Sequence, residues 1–302
     1  MKKVLVTGGA GFIGSNLVDS LIKRGIKVVV VDNLSTGKLE NVNKKAEFLN
    51  RDLCFIDQTE FVELLSDVDV IFHLAALARV QPSIEDPITY NQTNVTVTLK
   101  ILQAAFLAGV HRVVYSASSS CYGNTLTVPQ KETDPTNPLS PYGLQKYIGE
   151  QYCRLYSDVY QLDTVSLRYF NVYGERMNFE GAYCLVTGIF ARQMLEGKPL
   201  TITNNGEQRR DFTYVGDVVD ANILAATYSG LLNGAVFNIG NGRNFSINQV
   251  ADMFGGEKVY GEKRLEPFET LACNEKAKKI LKWEPKGDLL QWIKQYKLEL
   301  GI

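Results

Sequence analysis

Apolar and polar positions along the chain switch between two periods. Val4, Leu5 and Val6 form a short apolar run, the mark of a strand covered on both faces. Behind it Ile13, Leu17, Leu21 and Ile22 recur at helical spacing. Residues 27–31, KVVVV, read as a second buried strand. The alternation continues with strands over 46–49, 68–74, 111–116 and 164–168. Between them fall helices over 61–65, 141–157 and one long helix over 83–108, stopped by Gly109. Ser140 can cap the 141–157 helix and Pro141 suits its first position. Beyond Tyr169 the rhythm breaks up, with a helix over 188–195, short strands over 200–203 and 237–239, and an amphipathic helix over 288–300. Strands alternating with helices predict an α/β fold with a doubly wound parallel sheet. The expected division is 1–170 for the sheet, with about 211–240 packing back on it, and 171–302 for a smaller second region.

Composition changes little in that picture. Of 302 residues, 45% are hydrophobic and 22% charged, as in ordinary globular chains. A net charge of −1 gives no global field to recruit nucleic acid or an anionic membrane. No apolar run reaches membrane-spanning length. The five cysteines are scattered and odd in number, which favours reduced thiols; no metal site is expected. Met1-Lys2-Lys3 runs straight into the first strand, so the expected location is cytoplasmic.

Candidate chemistry begins where the first strand turns into its helix. Gly8, Gly11 and Gly14 occupy that turn. Absent side chains let the backbone turn tightly and let a pyrophosphate approach the helix N-terminus. Asp32 closes the second strand, where an acid can accept from adenosine ribose hydroxyls. Asn33 follows with no arginine beside it, which favours NAD over NADP. Asp52 is either a partner for the adenine amino group or a loop cap. Ala75 and Ala76 are small enough to let backbone meet the cofactor at a strand end. His73 reads as a packed strand residue and Asn94 as a tie between its helix and that strand end. Hydroxyls cluster at Ser116, Ser118, Ser119 and Ser120. Tyr142 and Lys146 lie four apart on one helix face, where an ammonium and a nicotinamide cation would both favour phenolate. The candidate NAD-contacting set is Gly8, Gly11, Phe12, Ile13, Gly14, Asp32, Asn33, Asp52, Leu53, Leu74, Ala75, Ala76, Asn94, Ser116, Tyr142, Lys146 and Tyr169.

In this order these motifs resemble the extended short-chain dehydrogenase/reductases, in the NAD-dependent sugar epimerase/dehydratase branch. The likeness spans Thr7 to Gly14, His73 to Ala76, the serine turn with Tyr122-Gly123, Tyr142 to Lys146, Phe170 to Gly174 and Arg210 to Val215. The dehydratase Asp-Glu pair is replaced by Ser119 and Ser120, so the resemblance is to UDP-hexose and UDP-N-acetylhexosamine 4-epimerases. It implies that Ser118, Tyr142 and Lys146 are catalytic and that Tyr142 takes the C4 hydroxyl proton while hydride passes to NAD. A 4-keto sugar then turns over and is reduced from its other face. It implies sugar or phosphate contacts from Ser118, Ser119, Ser120, Tyr142, Asn171, Arg210 and Arg264, although the local pattern around Arg264 is one residue short. Thr270 falls where a bulky residue would exclude an N-acetyl group. The resemblance also implies a homodimer paired through the helices over 83–108 and 141–157, with Ile101 and Leu155 as candidate seam residues. The alternative is a nucleotide-sugar reductase or another redox enzyme of the same family.

Overall fold

The computed structural model describes residues 1–125, 127–178, 184–262 and 266–302. In chain order the first half contains β1 (Lys3–Thr7), α1 (Phe12–Lys23), β2 (Lys27–Asp32), β3 (Glu47–Asn50), α2 (Gln58–Leu64), β4 (Val70–His73), α3 (Val80–Glu85) and α4 (Pro87–Asn91). It continues with α5 (Val97–Ala108), β5 (Arg112–Ser118), α6 (Pro141–Tyr160) and β6 (Asp163–Tyr169). The second half contains β7 (Val172–Tyr173), α7 (Val186–Leu195), β8 (Leu200–Ile202), β9 (Arg209–Asp211), β10 (Thr213–Tyr214), α8 (Val215–Thr227) and β11 (Ala235–Ile239). It ends with β12 (Asn244–Ser246), α9 (Ile247–Phe254), β13 (Lys258–Tyr260), α10 (Glu275–Leu281) and α11 (Leu289–Leu300).

Seven strands form one sheet in the order β11-β6-β5-β4-β1-β2-β3. Every pair in it is parallel. The order reverses between β1 and β4, and open α/β sheets bind ligands outside the strand ends at such a reversal. One face packs Leu17, Val18 and Leu21 of α1 and Val218 and Ala225 of α8 on Val4, Val6 and Phe237. The other packs Phe61, Ile101, Leu102 and Cys153 on Leu5, Val29, Ile71 and Val113. Covering both faces is what makes these strands read as unbroken apolar runs.

The long helix expected over 83–108 is broken. Pro87 bars helix at Asp86, whose carboxylate instead caps α4 by accepting from Thr89 N at 3.1 Å. A π-helical turn over Gln92–Thr96 then joins α4 to α5. Ile101, expected at a seam, is fully buried in the core.

The second half is assembled differently. Its own core joins Tyr173, Phe190, Leu200, Phe212, Phe254 and Ile293. Apart from β11, which joins the large sheet, its strands among the described residues pair two by two. Single carboxylates gather its loops. Asp211 accepts from Asn241 N at 2.8 Å and from Gly242 N and Ala272 N at 3.0 Å. Asp217 accepts from Lys286 N at 3.0 Å and Gly287 N at 2.8 Å.

Candidate active site

The glycine turn is closed by its own backbone: Gly8 N donates to Val31 O and Gly11 N to Gly8 O. Gly8 has φ +72°, and a side chain at Gly14 would put its Cβ 2.1 Å from Gly8 O. Neither position tolerates an ordinary residue. No side chain caps α1 and no acid lies in its first turn. The amides at that end therefore stay available to an anion. Asp32 is buried, takes Ala10 N at 3.0 Å and Leu34 N at 2.8 Å, and so fixes the turn as well as facing it. Asp52 accepts from Asn33 Nδ2 at 3.0 Å and Cys54 N at 2.9 Å, which ties the two candidate adenosine-side residues together. A bare helix end, a glycine cradle too tight for any Cβ and an acid at the strand end fit a dinucleotide.

Next to this cradle, Asn94 spans two segments. Its Oδ1 accepts from Leu77 N at 2.9 Å, and its Nδ2 donates to Leu77 O and to Gln145 Oε1, both at 3.1 Å. Gln145 Nε2 donates in turn to Pro87 O at 3.2 Å. Gln145 went unremarked in the sequence. Its position between Tyr142 and Lys146 on a buried helix face was the available signal. Ser83 also escaped notice: its Oγ accepts from Tyr142 N at 3.1 Å.

Strand β5 runs two residues further than its apolar pattern, through Ala117 and Ser118. Ser118 lies in register with Tyr169 on β6. Ser119 and Ser120 form a 3-10 turn directly after it. Ser118 Oγ accepts from Ser120 N at 3.2 Å and donates to Ser120 Oγ at 3.0 Å. Ser140 caps α6 by accepting from Gly143 N at 3.2 Å, which sets Tyr142 in the first turn. Burial pushes the Tyr142 phenol above its ordinary range, and the nearby Ser118 hydroxyl only partly offsets this. Lys146 is buried with its ammonium 4.5 Å from the Tyr115 ring centroid, and burial lowers it to about 7. In the protein alone, burial therefore favours the neutral phenol; the expected phenolate counted on the nicotinamide cation as well as the lysine.

Other predicted residues sit in polar clusters. Tyr169 Oη donates to Asn222 Oδ1 at 3.0 Å. Asn171, at φ +27°, donates from Nδ2 to Asp211 O at 2.8 Å and Thr270 Oγ1 at 3.4 Å. Thr270 Oγ1 also accepts from Asp211 N at 3.3 Å. Arg210 pairs with Glu266 at 2.5 Å and donates to Arg209 O at 2.8 Å. Burial lowers the guanidinium while Glu266 opposes the shift. Glu266 also accepts from Asn204 Nδ2 at 2.9 Å. Arg264 lies outside the described residues.

A doubly wound parallel sheet with a glycine turn at its first strand end, and with Ser118, Tyr142 and Lys146 near the end of β5, has the build of a dinucleotide-binding protein. The model of the NAD dependent epimerase/dehydratase family matches residues 4–240, and the chain belongs to that family. A putative UDP-glucose 4-epimerase of Methanocaldococcus jannaschii is 39% identical over 97% of this chain and 96% of its own length. The crystal structure of a UDP-glucose 4-epimerase with UDP-glucose from Thermotoga maritima is 38% identical, with TM-score 0.93 over 99% of this chain and 100% of that one. A UDP-N-acetylglucosamine 4-epimerase from Methanobrevibacter ruminantium, in complex with UDP-N-acetylmuramic acid, is 35% identical, with TM-score 0.91 over 99% of each chain. No helix among the described residues is long and apolar enough to cross a membrane.

Proposed function

We propose that this chain is an NAD-dependent UDP-sugar 4-epimerase acting on UDP-glucose/UDP-galactose, UDP-GlcNAc/UDP-GalNAc or both. The observation that carries the reading is the Ser118 hydroxyl at the end of β5 near the Tyr142 phenol, with Lys146 one turn along the same helix. Bound NAD supplies the hydride acceptor and donor for C4. Gly8, Gly11 and Gly14 give the pyrophosphate its approach, and Asp32 receives the adenosine ribose. Tyr142 Oη would remove the C4 hydroxyl proton and, once the keto sugar has turned over, return one to the C4 oxygen, with Ser118 sharing it. Because burial alone keeps the phenol protonated, a positive charge beside it is what makes it a base. Inversion requires a firm hold on the nucleotide and a loose one on the sugar.

Arg210 is the described cation for the diphosphate, with Arg264 as a second, and Glu266 holds the Arg210 guanidinium in place beforehand. Thr270 is small, which supports admission of an N-acetyl group. A homodimer is supported by the apolar side chains that α5 and α6 leave exposed: Leu107, Leu155 and Val159. The five cysteines, none of them in a disulfide, suit a reducing cytoplasm.

Product NMR after incubation with UDP-glucose and with UDP-GlcNAc tests the reading, and no C4 product from either overturns it. Tyr142→Phe should lower kcat by about 10³-fold while retaining NAD.

A further inference from the structure

His73 was read from the sequence as a packed strand residue, and it is fully buried. Its hydrogen bonds, however, admit only one state of the ring. Thr98 Oγ1 spends its proton on Asn94 O at 2.7 Å, so it can only accept from His73 Nε2, 2.9 Å away. Nε2 therefore carries the proton and neutral Nδ1 is an acceptor. Thr7 Oγ1, at 2.8 Å from Nδ1, accepts from Ala75 N at 3.2 Å and gives its own proton to that nitrogen. The bonds run one way: Ala75 N–H to Thr7, Thr7 to His73, His73 to Thr98, Thr98 to Asn94 O. Asn94 closes the circuit through its two bonds to the backbone of Leu77. The other tautomer would oppose two lone pairs at Thr98. An imidazolium would leave the Thr7 proton without its acceptor.

We infer that His73 is a positioning residue: fixed as the neutral Nε2–H tautomer, it locks residues 75–77 to the π-helical turn of Asn94 and so shapes the wall against which the nicotinamide nucleotide is held. The inference rests on the proposed NAD site. The groups around the ring are Thr7 from β1, Tyr115 from β5 at 5.6 Å between centroids, Thr98 from α5 and Lys146 from α6. Burial, and then the Lys146 ammonium, depress the imidazole to about 3, in keeping with a ring that stays neutral.

Two measurements test it. Nitrogen-15 NMR of labelled protein should show His73 with a protonated Nε2, a bare Nδ1 and no titration between about pH 5 and 8. Since the chain has two histidines, a His111→Gln variant assigns the signals. An Nδ1–H or doubly protonated His73 overturns the inference. The second measurement is NAD affinity. His73→Phe, which removes both links, should weaken it about tenfold, the scale of one or two lost buried hydrogen bonds. His73→Gln, which keeps a donor toward Thr98, and His73→Asn, which keeps an acceptor toward Thr7, should fall between. Thr98→Val breaks the circuit without touching the ring and should also weaken NAD binding, with the sugar KM unchanged. Wild-type NAD affinity in folded His73→Phe and Thr98→Val overturns the inference and leaves the enzymatic reading standing. Wild-type protein that binds NAD but epimerises no sugar sinks the enzymatic reading alone. Wild-type protein without NAD affinity sinks both.

Discussion

Around β1 the interior is made of many similar side chains: Val4, Val6, Val28, Val30 and Phe72 stacked between α1 and α8. Around β9 it hangs on a few dissimilar ones. There Asp211 alone accepts three backbone N–H groups from two separate loops. The first kind of construction spreads its stability over interchangeable contacts, and volume-conserving swaps cost little. The second places it on particular atoms, whose removal leaves buried donors unpaired. A site that must grip one end of its ligand and release the other can use both. The regular sheet gives an unmoving edge for the nucleotide, and the pinned loops give a wall whose shape can differ without disturbing the sheet.

The sharpest challenge to that contrast lies inside the sheet half. Arg112 is fully buried, pairs with Asp163 at 2.6 Å and donates to Ala225 O, Tyr228 O and Gly230 O. It is a pin of the second kind, like the His73 and Asn94 circuit, inside a half built mainly of interchangeable contacts. Arg112→Met should cost about 3–5 kcal/mol in denaturant unfolding, because Asp163 is left buried and unpaired. A loss below about 1 kcal/mol would show that this half does not depend on single residues at all.

Next in size is Asp211→Asn, which should cost about 2 kcal/mol by misplacing a donor among donors. Burial raises the Asp211 carboxyl from 3.8 to about 6, with its three backbone donors pulling the other way. The proton it holds when folded stabilises the protein fully below about pH 4, and that contribution is lost as pH rises through about 6. The melting temperature should therefore fall across this window, and Asp211→Asn should flatten the slope. A wild-type melting temperature that rises steadily from pH 4 to about 6, unchanged in the variant, would contradict the assignment.

The smallest effect is expected of Leu17→Met in the α1 face, about 1 kcal/mol or less by thermal melting with NAD affinity unchanged. A larger loss would mean that the sheet half also needs exact shapes.

The same contrast explains what could be read from the chain. Strands such as β2 are legible because burial on both faces demands the unbroken apolar run of Val28 to Val31. The glycine turn and Asp32 are legible because a close backbone approach and an acid at a strand end leave few residue choices. The break at Pro87 was visible in the residue itself but hidden by the apolar period running across it. The partners of Asn171, Thr270 and Arg210 were not legible. They meet through hydrogen bonds between residues far apart in the chain, with no local period to announce them. Gln145 and His73 were legible as buried positions only, since their roles depend on which way protons point in partners from three other elements.

Strand β11 pairs along its whole length with β6, every residue of which is buried. A chain ended after Tyr169 would leave β6 as a long unpaired edge open to any other strand. A gene crossover at that point would therefore give the recombinant a closing strand shaped for a different neighbour. The loops of the second half are inherited together with the last rib of the sheet, and exchanges between relatives would have to proceed loop by loop.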